Sequence, residues 1–351
     1  PCERAARPPC PTPPADGELL SVVLPLPRVP ASAPQLSGQQ FQFVRQTDGR
    51  IQAGYGCAAE WQAEGADRLP ALQRAVGELS ARWQRHDPDA TGFDGFAMLG
   101  FAAADDSAEQ VEDHLPGALL WVPEIGLCVR QGEAALVLSA QLPAARAELQ
   151  QRWLAALTRL VPALYPEPPG ALPAAPPMPE FAEPDLPHWR ALVDTALAEI
   201  GREQFEKVVL CRRVDLRGTR AFDIGRLLGA LGCLYPSCQL INLRRRGKSF
   251  VSASPERLLS LQGRHLMVDA LAGTAPRGAT EQEDRYLGEL LGRSGKNLRE
   301  HRHVIDAITA SLAEHCTAIE APARPAIMRL TNVQHLWSPI TATTRPDVNV
   351  F

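Results

Sequence analysis

A lysine at the head of an apolar run, a glutamate behind a proline and a second glutamate in a helical stripe could together do acid and base chemistry. Lys207 precedes Val208, Val209 and Leu210. An ammonium in that company either sits at a strand end in water or needs partners. If it lines a cleft, loss of water lowers its pKa and lets the amine act as a base toward a water molecule. In FVSASPERLLSL, Pro255 forces a turn between two strands and sets Glu256 at its tip beside Arg257. Such a carboxyl is either a solvated turn residue or, in a partly apolar cleft, an acid that stays protonated near neutrality.

Three further positions could hold a ligand. In DALAGTAPRG, Gly273 and Thr274 end a strand in a turn of small residues that lets a ligand approach the backbone. In LLGRSGKNLREHRHVIDAITASL, read as one helix, Glu300, Val304 and Ile308 fall on one face at four-residue spacing. A carboxylate in an apolar stripe must be paired or metal-bound, so a salt bridge and a hard-cation ligand stand as equal readings of Glu300. His301 and His303 lie on other faces and read as surface residues. His335, in the strand-like run NVQHLWSPITA, reads as a satisfied core histidine.

The elements that must position these residues follow from periodicity. Phe41, Phe43 and Arg45 alternate as a strand, and Leu72, Ala75, Val76, Leu79 and Trp83 make a helical stripe. FDGFAMLGF, ALLWVP, IGLCVR and AALVLSAQL read as successive strands, followed by a helix through Leu149, Trp153, Ala156, Leu157 and Leu160. Residues 162–187 are too rich in proline for helix or sheet and read as an extended surface connection. It separates a first half, residues 1–161, from a second, residues 188–351. The second half opens with a stripe through Trp189, Leu192, Val193, Ala196, Leu197 and Ile200, then a strand, KVVLCRRVDL, and a helix around 222–234. SCQLINL, KSFVSAS, RLLSLQ and HLMVDALAG follow as strands. Clustered strands and clustered helices predict an α+β fold of large sheets flanked by helices.

Composition narrows the function. With 351 residues, 45% hydrophobic and 22% charged, the chain is long enough for a large core. A net charge of -4 with interspersed signs gives no basic surface for nucleic acid. Eight cysteines without paired spacing suggest neither zinc site nor disulfide framework and read as reduced core residues of a cytoplasmic protein. No stretch has the length of a membrane span or the form of a signal peptide. The first residue is proline and the last segment is ITATTRPDVNVF, so a fragment is expected.

Taken in order, EKVVLCR, SASPERLL, ALAGTAPRG, SGKNLREHRHV and NVQHLWS resemble the motifs of the chorismate-utilising enzymes, which include isochorismate, salicylate, anthranilate and aminodeoxychorismate synthases. The resemblance is dense over 205–338. It implies a chorismate-binding fold whose first half is the variable part, and a catalytic half that lacks its last strands. It implies Lys207 as the base that activates water, Glu256 as general acid and Glu300 as a ligand of Mg²⁺. Ala272, Gly273, Thr274 and His335 would line the pocket for the small-molecule substrate chorismate. Anthranilate synthases resemble one another in carrying glutamine at the position of Lys207, and aminodeoxychorismate synthases that form a covalent intermediate carry lysine at that of Ala272. Both differences favour water addition, and with it isochorismate synthase without an amidotransferase subunit. Its product would feed menaquinone or a salicylate-type siderophore. A salicylate synthase, an aminating relative and a non-catalytic fold relative are the alternatives.

Overall fold

The computed structural model describes residues 17–103, 115–165, 178–205, 207–218 and 221–348. In chain order, β1 (Glu18–Pro25), β2 (Gln40–Arg45), β3 (Arg50–Tyr55) and β4 (Ala59–Ala63) precede α1 (Arg68–Ala81). Next come β5 (Trp83–His86), β6 (Met98–Phe101), β7 (Ala118–Val122), β8 (Ile125–Arg130), β9 (Glu133–Leu142) and α2 (Arg146–Leu160). Then β10 (Met178–Glu183), α3 (Leu186–Gly201), β11 (Arg213–Arg217) and α4 (Ile224–Leu234) lead to β12 (Gln239–Arg245), β13 (Lys248–Ser254), β14 (Ser260–Gln262) and β15 (His265–Pro276). Last are α5 (Glu281–Arg293), α6 (Gly295–Ala313), β16 (Cys316–Glu320), β17 (Ala326–Arg329) and β18 (Val333–Thr344). The α+β fold is as expected.

The chain divides into two compact units, residues 1–166 with 228–351, and residues 167–227. In the first, an eight-stranded sheet runs β13-β12-β2-β3-β8-β9-β1-β5. It draws strands from both sides of the proline-rich stretch, because β12 pairs with β2 along Gln239–Arg45 to Arg244–Gln40. IGLCV in β8 is buried throughout rather than alternating. Ile125, Leu127 and Val129 meet Ala156 and Leu160 of α2 on one face, while Cys128 joins Phe93 and Phe96 on the other. Covering both faces requires such an unbroken apolar run. A second sheet runs β14-β15-β18-β16, with β17 also on β18, and a third runs β4-β7-β6. The second unit holds α3 and the ribbon β10-β11.

Several expectations are corrected. The 162–187 segment is not extended throughout: Val161–Leu164 forms a 3-10 turn, Met178–Glu183 is strand β10, and α3 starts at Leu186, with Asp185 capping it and proline in its first turn. Proline fits there because that turn leaves its N–H groups without helical partners anyway. Residues 166–177 of that segment lie outside the described residues, as do 1–16. Trp83 belongs to β5 rather than to the α1 stripe, and of FDGFAMLGF only Met98–Phe101 is strand. The α3 stripe buries none of its residues within the described chain. Cysteines are not uniformly reduced and buried: Cys57 is disulfide-bonded, and Cys211 and Cys233 are exposed free thiols.

Candidate functional site

Three of the expected residues stand in a row on β15. Between Ala272 and Thr274 its register against β18 slips by one residue. Gly273 absorbs the slip at φ +81, a left-handed conformation that glycine adopts without strain. A methyl group there would also come within 3.1 Å of Asn297 Cβ and 3.3 Å of Leu336 Cδ1. The backbone of the bulge therefore lies against α6 one turn before Glu300. The same slip sets Thr274 opposite His335, and Thr274 Oγ1 lies 3.0 Å from His335 Nδ1.

Strand β18 alternates strictly along its length. Gln334, Leu336, Ser338 and Ile340 are buried on the side covered by the helices, and His335 and Trp337 take the other face half-buried. His335 is thus not a core histidine: period-two alternation gives the core to its two neighbours and leaves the imidazole beside an exposed threonine.

Glu256 follows β13 in the turn that Pro255 imposes. Ser254 Oγ accepts from the Glu256 N–H at 3.2 Å and donates to the Glu256 carbonyl at 3.1 Å. The Glu256 side chain is exposed. Arg257 ties the turn to β15, with Nη2 3.0 Å from Asp269 Oδ2, and Trp337 Nε1 donates to Asp269 Oδ1 at 3.0 Å. Glu256 is therefore anchored to the two strands that carry Thr274 and His335.

Glu300 is half-buried on α6, and Val304 and Ile308 of its stripe pack against Val268, Ala270 and Ile340. The expected single helix is two. Ser294 ends α5 and caps α6, its Oγ accepting from the Asn297 N–H at 3.3 Å. Among the described residues no three His, Cys, Asp or Glu side chains gather closely enough to cage a metal. The donor chemistry of Glu300 still fits magnesium, which keeps several waters and takes one or two carboxylates together with substrate oxygens.

Lys207 belongs to the second unit, whereas Glu256, Ala272, Gly273, Thr274, Glu300 and His335 belong to the first. It is exposed, with Val209 beside it 79% exposed, and it does not open a strand. Among the described residues β11 pairs only with β10, along Arg213–Arg217, so 207–212 has no ladder to join.

His301 was expected at the surface and is 1% exposed, its Nε2 2.9 Å from Ser338 Oγ. Burial pushes its imidazole below the ordinary histidine value, and the Ala272 backbone opposes that shift. It lies four residues before the buried Ile305, a spacing that could have found it. A second unforeseen group centres on Asp284. Arg277 Nε and Nη2 donate to its carboxylate at 2.6 and 2.9 Å, the Gly278 N–H at 3.0 Å and Arg329 Nε at 3.2 Å. These donors, Arg277 foremost and the Gly278 N–H next, hold Asp284 down at about 2. The cluster fixes the APRG turn immediately after Thr274.

A family model described as "Chorismate binding enzyme" matches residues 15–351. The chain belongs to this chorismate-binding enzyme family. Among curated relatives, isochorismate synthase MenF of Bacillus subtilis is 34% identical over 167 residues, covering 48% of this chain and 36% of that protein. The salicylate biosynthesis isochorismate synthase of Pseudomonas aeruginosa is 36% identical over 154 residues, 44% of this chain and 32% of that protein. These matches span about a third of the relatives' own length. Among solved structures, the menaquinone-specific isochorismate synthase MenF of Escherichia coli superposes with a TM-score of 0.69 at 22% identity, over 95% of this chain and 72% of that one. Anthranilate synthase component I of Streptococcus pneumoniae gives 0.59 at 17%, over 90% and 71%. At these identities the superpositions establish the chorismate-binding fold. Among the described residues no helix is long and apolar enough to cross a membrane.

Proposed function

We propose that the protein is an isochorismate synthase, an isomerase that converts chorismate to isochorismate with Mg²⁺ and without an amidotransferase subunit. The observation that carries this reading is the similarity, at 34 to 36% identity, to relatives named as isochorismate synthases. Lys207 and Ala272, where aminating relatives differ, support it. In the reaction, the Lys207 amine takes a proton from water as its oxygen bonds to one ring carbon. Glu256 gives its proton to the hydroxyl that leaves another ring carbon, so one water enters and one departs. Thr274 and His335, held together by their hydrogen bond, present a hydroxyl and an imidazole to the ring and its hydroxyl groups. Glu300 would hold the magnesium, which when bound neutralises a substrate carboxylate.

Product analysis with chorismate and Mg²⁺, with and without ammonium, tests the reading on the parent and on Lys207→Gln. The expected result is isochorismate from the parent regardless of ammonium. In Lys207→Gln, turnover should fall about 10²–10⁴-fold while chorismate binding falls much less. An aminated product, or a variant at the parent rate, overturns it.

A further inference from the structure

Helix α6, Gly292 of α5 and the 322–325 loop after β16 border an open cavity of about 550 Å³ in the first unit, within the usual size of small-molecule sites. Neither Glu300, Thr274 nor His335 lines it. Its most buried lining is Ile305 and the His301 imidazole, with half-buried Leu298 and Pro322 beside them. Arg299, Arg302 and Arg324, all exposed, stand around it. No carboxylate lines the cavity, and none of these guanidinium groups forms a side-chain hydrogen bond or ion pair with another described residue.

Several exposed arginines of this chain have a carboxylate partner, as Arg152, Arg285 and Arg293 do. Three left unpaired around one hollow make a local positive potential that an anion would relieve. A guanidinium fork matches a carboxylate in two-point geometry, and the apolar wall favours a ligand with a hydrocarbon body over a bare inorganic ion. We propose that this cavity binds a small cyclic carboxylate, its ring on Leu298, Ile305 and Pro322 and its carboxylate on Arg302 and Arg324. The assignment does not depend on which reaction the protein catalyses.

Benzoate is the probe, titrated calorimetrically at low salt, with benzyl alcohol and inorganic phosphate as comparators. The double variant Arg302→Ala, Arg324→Ala removes exposed side chains, and an unchanged melting temperature establishes that it is folded. Expected are saturable benzoate binding to the parent, at least tenfold weaker binding to the double variant, and at least tenfold weaker binding of both comparators. Undiminished benzoate binding to the double variant overturns the proposal, as does equal binding of benzyl alcohol or phosphate, or no benzoate binding at all. A Thr274→Ala, His335→Ala variant separates this cavity from the substrate face. Loss of benzoate binding there, with retention in the arginine variant, also overturns it.

Discussion

His301 Nε2 lies 2.9 Å from Ser338 Oγ, with both residues almost wholly out of water, and this bond pins the residue immediately after Glu300 to the strand that carries His335. Removing one partner strands the other in a dry site, which costs about 1–3 kcal/mol, whereas removing both with apolar replacements costs less than the sum. We therefore expect Ser338→Ala to destabilise the fold by that amount. A double-mutant cycle with His301→Leu should return a coupling of about 0.5–3 kcal/mol in urea unfolding. Additive losses would mean that the pair is a geometric coincidence.

Asp284 gives a pH-dependent prediction. Its carboxyl is held at about 2 in the folded protein, against about 3.9 in an unfolded chain. A depressed carboxylate contributes stability above the unfolded value, and that contribution is lost as pH falls from about 4 toward 2. Asp284→Asn should lower the denaturant midpoint at pH 7, and the gap between parent and variant should close between about pH 5 and 2. A gap that stays constant through this window would assign the effect to packing at the APRG turn instead of to charge.

What could be read from the sequence, and what could not, follows from how local each signal is. The runs NVQHLWSPITA and IGLCVR were legible as strands β18 and β8, but the buried face of β18 carries Gln334 and Ser338, so residue type did not say which side faces the core. KVVL misled because an apolar run does not say whether a partner strand exists, and Val209 is 79% exposed. The α5–α6 break escaped because serine is tolerated within a helix, and its capping role depends on the backbone turning at that residue. The Thr274–His335 bond needed the register slip at Gly273, a tertiary fact that alternation in either strand alone does not contain.

That slip makes Gly273 the position where substitution should be least tolerated. Alanine would have to hold φ +81 and fit a methyl within 3.1 Å of Asn297 Cβ. Backbone strain of this kind costs about 1–3 kcal/mol, and relief by moving α6 would displace Glu300 as well. Gly273→Ala should lower the melting temperature and also weaken chorismate binding, whereas Gly263→Ala, at φ +59 with open space around it, should affect stability alone. Equal binding by both variants would detach the bulge from the site.

Glu300 separates two readings that the sequence left level. As half of a structural ion pair, it would lower stability when neutralised and leave the metal response alone. As a magnesium ligand, its carboxylate supplies the hard, charged oxygen that a glutamine amide replaces poorly. Its helix is held independently of it by Val304, Ile305 and Ile308 in the core and by His301 on Ser338, so the fold has little need of the charge. Glu300→Gln keeps the side chain's size and shape and should therefore change stability by no more than about 1 kcal/mol, the usual worth of a partly exposed charge interaction. In a chorismate turnover assay the half-saturating Mg²⁺ concentration should rise at least tenfold. An inactive parent can still be tested by following Mg²⁺-dependent binding of chorismate. If the variant melts far below the parent while its magnesium response is unchanged, Glu300 is structural, and the proposed function loses its metal anchor.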